Sequence, residues 1–536
     1  MNRRTLLKSI AHGSLAASIP TPIVKPLPDL FFRQNAANKP NILVIMVDQM
    51  REMAWDTLAQ KLPNLSKLRA ESVKFGAYYT TANMCEPARA SFVSGLYAHQ
   101  HFCLVTQQSH LNPDFPTYGD GLRDVGYYTR WMGKWHLSSD SSTFDPYGFS
   151  GSIQNDPVGA PAQGQTRDPQ IAQEFIDWLP THDESKPWCC TVSFVNPHDI
   201  MWYPRFTEAI PQQKDPPNVY TNLPANYETP QELNDRKKPK LQAASQAIAA
   251  QSFGTMRYSG VGYRQEWIEY LDLYLHLQTM VDEQIGRVLA ALNASKYKNN
   301  TIVIFTADHG EYCGSHGMRG KGAAVYEEGI HVPFCLKDPT GACVGDIATE
   351  RNQLVSSVDL APLLLTLGYG DNSWRSNAKW QHLANRLDMA QILKSSAAKG
   401  RDFVLHTTDE PGYEEAPAHF ADDSPSHVIA YRTTQGKVAT YSYWEKNSAN
   451  ISSYKQEYEG YNYSTANGRA EIDNMATDSS NTLYQKLLGE LNAATYSELR
   501  QPLPADLQTA QAHALEDYLK VDSGEVYRVN LPFTRR

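Results

Sequence analysis

Two apolar runs in this chain end in an acid. Asn41-Ile42-Leu43-Val44-Ile45-Met46-Val47-Asp48-Gln49 shows no polar alternation, which predicts a parallel strand buried on both faces with a carboxylate at its carboxyl end. Thr301-Ile302-Val303-Ile304-Phe305-Thr306-Ala307-Asp308-His309-Gly310 repeats that design. Open α/β sheets bind ligands just beyond the carboxyl ends of their strands, so the two runs would bring Asp48, Asp308 and His309 to one crevice. From about Pro40 to Gly370 apolar runs alternate with helical patterns, the signature of a parallel sheet covered by helices. The clearest helix is predicted over Arg264 to Leu292, where Trp267, Leu271, Tyr274, Gln278, Val281, Ile285, Val288 and Leu292 recur at three- and four-residue steps. Another is predicted over Ser357 to Leu367, with Asp359 in its first turn.

The pattern breaks between Met201 and Val261. Pro204, Pro211, Pro216, Pro217, Pro224, Pro230 and Pro239 argue against long regular elements there. The stretch reads as an insertion after His198 that shapes a substrate entrance, or as a plain surface excursion. After about Arg401 the runs become short and β-rich, at Val428 to Arg432 and Lys437 to Trp444, followed by a helix near Leu483 to Leu491. Tyr454, Tyr458, Tyr461 and Tyr463 form an aromatic group suited to stacking on a sugar or aryl group, or to packing.

Composition narrows the function classes. Among 536 residues, 49 Lys+Arg face 58 Asp+Glu for a net charge of -9, with no long run of either sign, so no nucleic-acid footprint is expected. The length predicts a large core and either more than one domain or one large domain with a satellite. Met1-Asn2-Arg3-Arg4-Thr5-Leu6-Leu7-Lys8 and the mildly apolar stretch to about Pro20 read as a twin-arginine-type export signal. No later run is long and apolar enough to span a membrane. Besides Cys85, six cysteines are present: Cys103, Cys189, Cys190, Cys313, Cys335 and Cys343. They suit either disulfides in an oxidising compartment or buried, unpaired thiols.

Cys85-Glu86-Pro87-Ala88-Arg89 is weak alone but has company. Gly126-Tyr127-Tyr128-Thr129-Arg130-Trp131-Met132-Gly133-Lys134-Trp135-His136, Asn196-Pro197-His198-Asp199, Gly320-Lys321-Gly322, Tyr326-Glu327-Glu328 and Val332-Pro333 follow in order. Together they resemble the sulfatase family within the alkaline-phosphatase-like hydrolases, over roughly residues 40 to 335. The resemblance implies an α/β fold, a large, mostly parallel sheet sandwiched by helices, with a smaller C-terminal antiparallel sheet plus helix. The expected layout is an export signal and linker over residues 1–35, a catalytic domain over 36–400 and a C-terminal subdomain over 401–536.

It also implies the chemistry. Cys85 would be oxidised to formylglycine by a maturation enzyme, and the hydrated aldehyde would attack the sulfur of a sulfate ester. One divalent cation, Ca²⁺ first and Mn²⁺ or Mg²⁺ as alternatives, would sit on Asp48, Gln49, residue 85, Asp308 and His309. Arg89 would hold the nucleophile, Asp308 would assist its deprotonation, Lys134 and Lys321 would bind sulfate oxygens, His198 would protonate the leaving alcohol, and His136 would take the proton that releases sulfate. Lys134 and His136 flank Trp135 and would point the same way if that segment is extended. Glu311 and His316 carry no motif role and are expected outside the direct contacts of the site or at the surface. His99 and His101 are expected to cap or pack.

Gln49 and His309 stand where many members carry Asp and Asn, and Glu86 and Ala88 where small residues and Ser are common. The first pair is closer to the choline-sulfatase and phosphonate-monoester-hydrolase branches. The resulting reading is an exported, periplasmic or secreted sulfatase, using the twin-arginine translocase and acting on a sulfated small molecule or glycan. A phosphodiesterase or phosphonate monoester hydrolase, and a silent carbohydrate-binding relative with unmodified Cys85, are the alternatives. The sequence leaves the substrate open among aryl, alkyl, choline-type and polysaccharide sulfates.

Overall fold

The computed structural model describes residues 39–522 apart from 53–57, 139–142, 152–155, 184, 207–217, 411 and 413–422. The Arg3-Arg4 signal therefore lies outside the described residues. Strand β1 (Asn41–Asp48) sits inside a six-stranded sheet with β2 (Val73–Phe75), β4 (Tyr128–Gly133), β5 (Trp188–Pro197), β6 (Thr301–Ala307) and β7 (Phe334–Lys337), in the order β2-β7-β6-β1-β5-β4. The short strands β3 (Tyr78–Tyr79) and β8 (Val355–Ser356) pair separately. β6, β1, β5 and β4 run parallel, while β7 is antiparallel to β6 and β2 to β7.

Every residue of β1 and β6 is buried, as their unbroken apolar runs require. Each fully buried Val, Leu or Ile contributes about 1.5–3 kcal/mol of transfer free energy. Their register pairs Val47 with Ala307, so Asp48 and Asp308 emerge side by side. On the other side of β1, a register shift pairs Asp48 with Pro197, which brings His198 to the same end of the sheet.

Six helices matter for the site and its surroundings: α1 (Cys85–Ser94), α2 (Gln163–Trp178), α3 (Lys240–Phe253), α4 (Tyr263–Ala294), α5 (Leu360–Tyr369) and α6 (Thr482–Ala494). The helix predicted over Arg264 to Leu292 is α4, and all eight of its periodic residues are buried. The one predicted over Ser357 to Leu367 is α5, preceded by a 3₁₀ turn that contains Asp359. The insertion departs from expectation, because it contains the 14-residue helix α3. Pro239 stands immediately before that helix, where a missing N–H leaves no bond unmade, so the proline bounds the helix rather than forbidding it. Leu241, Ile248, Ala249 and Phe253 of α3 share a core with Ile200, Trp202 and Trp267.

The C-terminal part forms an antiparallel sheet of β9 (Val404–Thr408), β10 (His427–Arg432), β11 (Gly436–Ser442) and β12 (Glu457–Asn462), in the order β12-β11-β10-β9. A last helix, Gln508–Asp522, sends Ala510, Ala514, Tyr518 and Val521 back into the main core. The four tyrosines do not act as one platform. Tyr461 and Tyr463 are buried, Tyr454 is exposed, and Tyr458 and Tyr461 point to opposite faces of β12 because they are an odd number of residues apart. All seven cysteines are buried and unpaired. No helix among the described residues is long and apolar enough to cross a membrane.

Candidate active site

Cys85 is the first residue of α1, entered from an extended Met84. The amino end of a helix presents free N–H groups and the positive end of its dipole, a favourable place for an anion. The Cys85 Sγ lies 2.8 Å from Lys321 Nζ, 3.3 Å from His309 Nε2, 3.7 Å from Asp48 Oδ1 and 3.8 Å from Lys134 Nζ. Burial, seconded by the Asp48 charge, pushes the thiol up to about 11. At neutral pH the side chain is therefore a thiol, a weak nucleophile.

Arg89 follows one helical turn later and is fully buried. Its Nε donates to Asp308 Oδ2 at 2.8 Å and its Nη2 to Asp48 Oδ2 at 3.1 Å, while Nη1 donates to the Lys134 carbonyl at 2.7 Å and to Ser193 Oγ at 3.0 Å. One guanidinium thus fixes the ends of β1 and β6 and the turn after β4. Lys134 Nζ adds an ion pair to Asp48 Oδ2 at 2.9 Å. Burial alone would raise the Asp48 carboxyl, but Lys134, Lys321 and Arg89 outweigh it and hold the group well below the usual carboxylate range. Three cations against two carboxylates leave the pocket with a surplus that suits an anionic substrate.

The donor set also fits a divalent cation. Ligand atoms of Asp48, Cys85, Asp308 and His309 all lie within 4.8 Å of one another, and all four residues are buried. His309 Nδ1 donates to the Gly310 carbonyl at 3.0 Å, which places the lone pair on Nε2, facing Asp48 Oδ1 at 3.6 Å and Asp308 Oδ1 at 3.7 Å. Burial drops this imidazole to about 4, so it is neutral, as a metal ligand must be. Gln49 has a left-handed φ of 68°, and its Oε1 accepts from Lys321 Nζ at 2.9 Å. That carbonyl oxygen therefore points at the same cluster.

Lys134 and His136 both reach the site, but not by strand alternation. β4 stops at Gly133, whose φ is +83°; a Cβ there would meet the Ser193 carbonyl at 2.1 Å, so only glycine makes this turn. His136 has a left-handed φ of 56°, and Trp135 is buried between them against Trp131 and Phe144. Asp156 accepts the backbone N–H groups of Trp135 at 2.9 Å and His136 at 2.7 Å and pins the turn. Both ring nitrogens of His136 and Nδ1 of His198 are buried with no hydrogen-bond partner among the described residues. Burial, then Lys134, pushes both histidines well below the ordinary imidazole value, so each is neutral and can take a proton.

Glu311, expected outside the direct contacts of the site or at the surface, takes the first of those places, with a positioning role that the sequence did not assign. It is fully buried and accepts from Tyr270 OH at 2.9 Å, Cys313 N at 3.0 Å and Gly320 N at 2.6 Å, besides Gln49 Nε2. By holding the amide nitrogen of Gln49 it turns the amide oxygen inward, and by holding Gly320 it aims the next residue, Lys321. The available signal was its place three residues after Asp308. His316 is buried, not at the surface, and bonds Glu228 at 2.6 Å. His99 and His101 pack as expected, against Asp409 and Ser91.

Comparison with known proteins agrees with the geometry. The sulfatase family profile matches residues 40–370. The chain is 28% identical over 359 residues to the uncharacterized sulfatase YidJ of Escherichia coli, covering 61% of this chain and 68% of that one. It is 26% identical over 372 residues to a choline-sulfatase of Rhizobium meliloti, covering 61% and 67% respectively. The fold is that of the phosphonate monoester hydrolase of Silicibacter pomeroyi, with TM-score 0.66 at 18% identity over 88% of this chain and 97% of that one. With its motif residues gathered in one pocket and more than half its length matched by the family profile, this chain belongs to the sulfatase family of sulfuric ester hydrolases.

Proposed function

We propose that this protein hydrolyses a sulfate ester to an alcohol and inorganic sulfate after Cys85 has been converted to formylglycine. The observation that supports this most is the convergence of Lys134, Lys321, Asp48 and His309 on Cys85, within 2.8 to 3.8 Å of Sγ or its nearest neighbours. A buried, protonated thiol is a poor nucleophile, whereas a hydrated aldehyde in its place offers one hydroxyl for attack on sulfur and a second whose deprotonation expels sulfate. Asp48, Asp308, His309, the Gln49 carbonyl and residue 85 would hold a divalent cation, which when bound polarises the ester and lowers the nucleophile's pKa.

The chain's own groups do the rest. Lys134 and Lys321 bind the charged oxygens of the sulfuryl group, and Arg89 keeps residue 85 and both carboxylates aligned. Asp308 accepts the proton of the attacking hydroxyl. His198, neutral in the free protein, would take up a proton from solvent when the anionic ester sits beside it and deliver that proton to the departing alcohol oxygen, and His136 withdraws the one whose loss releases sulfate. Export rests on the Arg3-Arg4 segment, which makes a periplasmic or secreted enzyme the fitting context.

A second reading, hydrolysis of phosphodiesters or phosphonate monoesters on the same nucleophile, is favoured by Gln49 and by the imidazole of His309 beside residue 85. One experiment addresses both. The protein is made beside a maturation enzyme, the peptide carrying residue 85 is weighed, and rates are compared on a nitrophenyl sulfate and a nitrophenyl phosphodiester. The expected result is an aldehyde mass and faster sulfate turnover. A full complement of thiol in active enzyme overturns the nucleophile, and a faster phosphodiester reaction selects the second reading.

A further inference from the structure

Lys321 stands on backbone with little stiffness of its own. It lies between Gly320 and Gly322, both left-handed with φ of 72° and 76°, and a Cβ added to Gly320 would meet nothing within 4 Å, so the local chain does not fix where the lysine points. Yet its Nζ is held 2.8 Å from Cys85 Sγ and 2.9 Å from Gln49 Oε1. A flexible side chain on such a backbone returns to one point only if the backbone is pinned from outside.

Tyr312 supplies that pin on both sides of the lysine. Its backbone N–H donates to the Gly320 carbonyl at 3.0 Å. Its hydroxyl shares a proton between the carbonyls of Gly322 at 2.7 Å and Ala324 at 2.8 Å, and it accepts from Asn83 Nδ2 at 2.9 Å. Asn83 lies two residues before Cys85, so one hydroxyl joins the approach to the nucleophile with the segment that carries Lys321. The tyrosine is fully buried and shares a small core with Met318, Ala324 and Tyr326, which fixes the hydroxyl in turn.

The turn that this hydroxyl spans is strained. Ala323 has a left-handed φ of 59°, which a residue with a Cβ rarely adopts, and the Ala324 N–H closes on the Gly322 carbonyl at 2.7 Å. Such a conformation persists only where its surroundings over-determine it. Here the hydroxyl binds the carbonyls at both ends of the turn. A phenylalanine would fill the same space in that core and leave the turn free to relax, so packing does not account for the hydroxyl.

We propose that Tyr312 is a positioning residue whose hydroxyl holds Lys321 in place against residue 85 for the reaction. The inference rests on the reading of Lys321 as a cation that faces the sulfuryl oxygens. A double-mutant cycle on a nitrophenyl sulfate tests it, with rates divided by the aldehyde content at residue 85 and by the folded fraction. Tyr312→Phe should lower kcat about tenfold and leave KM within about twofold, the pattern of an interaction realised in the transition state. In a Lys321→Ala background the same change should cost less than about twofold, because the group it aims is gone. Asn83 Nδ2 also donates to the Ala324 carbonyl at 2.9 Å, a bond that should keep the nucleophile's side in place in every variant. A Lys321→Ala protein as fast as wild type overturns the reading and the proposal together. Where Lys321→Ala is slow, the proposal alone is overturned by a wild-type rate for Tyr312→Phe, by a loss that falls on KM, or by a loss that persists undiminished without the lysine.

Discussion

Two buried charge clusters share the stretch from Asp308 to Glu328, and they differ in what their atoms have left to do. In the one that joins the C-terminal sheet to the catalytic domain, Glu327 accepts from Tyr79 OH at 2.7 Å, Tyr463 OH at 3.1 Å, Arg432 at 3.3 Å and Lys437 at 3.3 Å. Glu471 accepts from Tyr463 OH at 2.7 Å, from Glu327 N at 2.9 Å and from Lys437. His316 stacks on Tyr326 at 3.5 Å, donates to Glu228 and accepts from Asn226, which also donates to Glu328. His316, Glu328 and Glu471 also bring ligand atoms within 4.8 Å of one another, yet each already bonds a protein group: Glu228 and Asn226 for His316, Asn226 for Glu328, and Tyr463 and Lys437 for Glu471. Around Cys85, by contrast, His136 and His198 keep unpartnered nitrogens, and the His309 lone pair faces the carboxylates. Buried charge by itself marks neither cluster as a site; unfilled atoms mark one of them.

That contrast can be broken by experiment. Cys85→Ala should abolish sulfate-ester turnover and leave the unfolding midpoint in place, because its proposed contribution is chemical; residual activity above a background hydrolysis control would move the nucleophile elsewhere. Lys437→Ala should do the reverse. It strands the buried Glu471 carboxylate, while Glu327 keeps Arg432, so denaturant unfolding should show a loss of about 3 kcal/mol, with kcat per folded molecule nearly unchanged. A large kcat effect there would show that the junction cluster belongs to the reaction.

Lys321→Ala removes one preorganised cation facing the substrate and should cost roughly 10²- to 10³-fold in kcat. His198→Ala sharpens the same comparison through its selectivity: a general acid matters when the leaving group is basic, so alkyl sulfates should slow far more than a nitrophenyl sulfate. Equal slowing across leaving groups would reassign His198 to sulfate binding.

Glu311→Gln should be milder, about tenfold in kcat, because the Gln49 amide can flip once its carboxylate partner is gone. Gln49→Glu in the same protein should restore part of the rate, a rescue that a merely structural role would not give.

The smallest effect is in pH dependence. Burial raises the Glu471 carboxyl from 4.5 to about 7. The folded protein then binds more protons than the unfolded chain across that interval, so stability should fall as pH rises through it, and Glu471→Gln should flatten the slope. Glu327, held below its ordinary range chiefly by Arg432 and Lys437 against the opposing effect of burial, gives the opposite sign at lower pH, where its contribution is lost on acidification. Thermal melts across a buffer series would read both.

The central strands were legible because their signal is local: a nearly unbroken apolar run of six residues ending in Asp has few other homes than a doubly covered parallel strand. α4 was legible for the same reason, through its sustained period. α3 was hidden by the prolines around it, whose position relative to a helix start decides their effect. The tyrosine group stayed open between stacking and packing because composition ignores the two-residue period of a strand. The partners of Glu311 were not legible, since Gln49, Tyr270 and Gly320 come from three separate parts of the chain.

The sequence alone determined the family, the parallel sheet and the residue types at its carboxyl edge, because those depend on periodicity and on motif order. Only the tertiary structure decided which buried charges are satisfied and which are left facing a cavity. Whether a donor finds an acceptor depends on residues hundreds of positions apart. Arg89 meets Asp308, Lys321 meets Gln49, and Lys437 meets Glu327 only after the chain has closed.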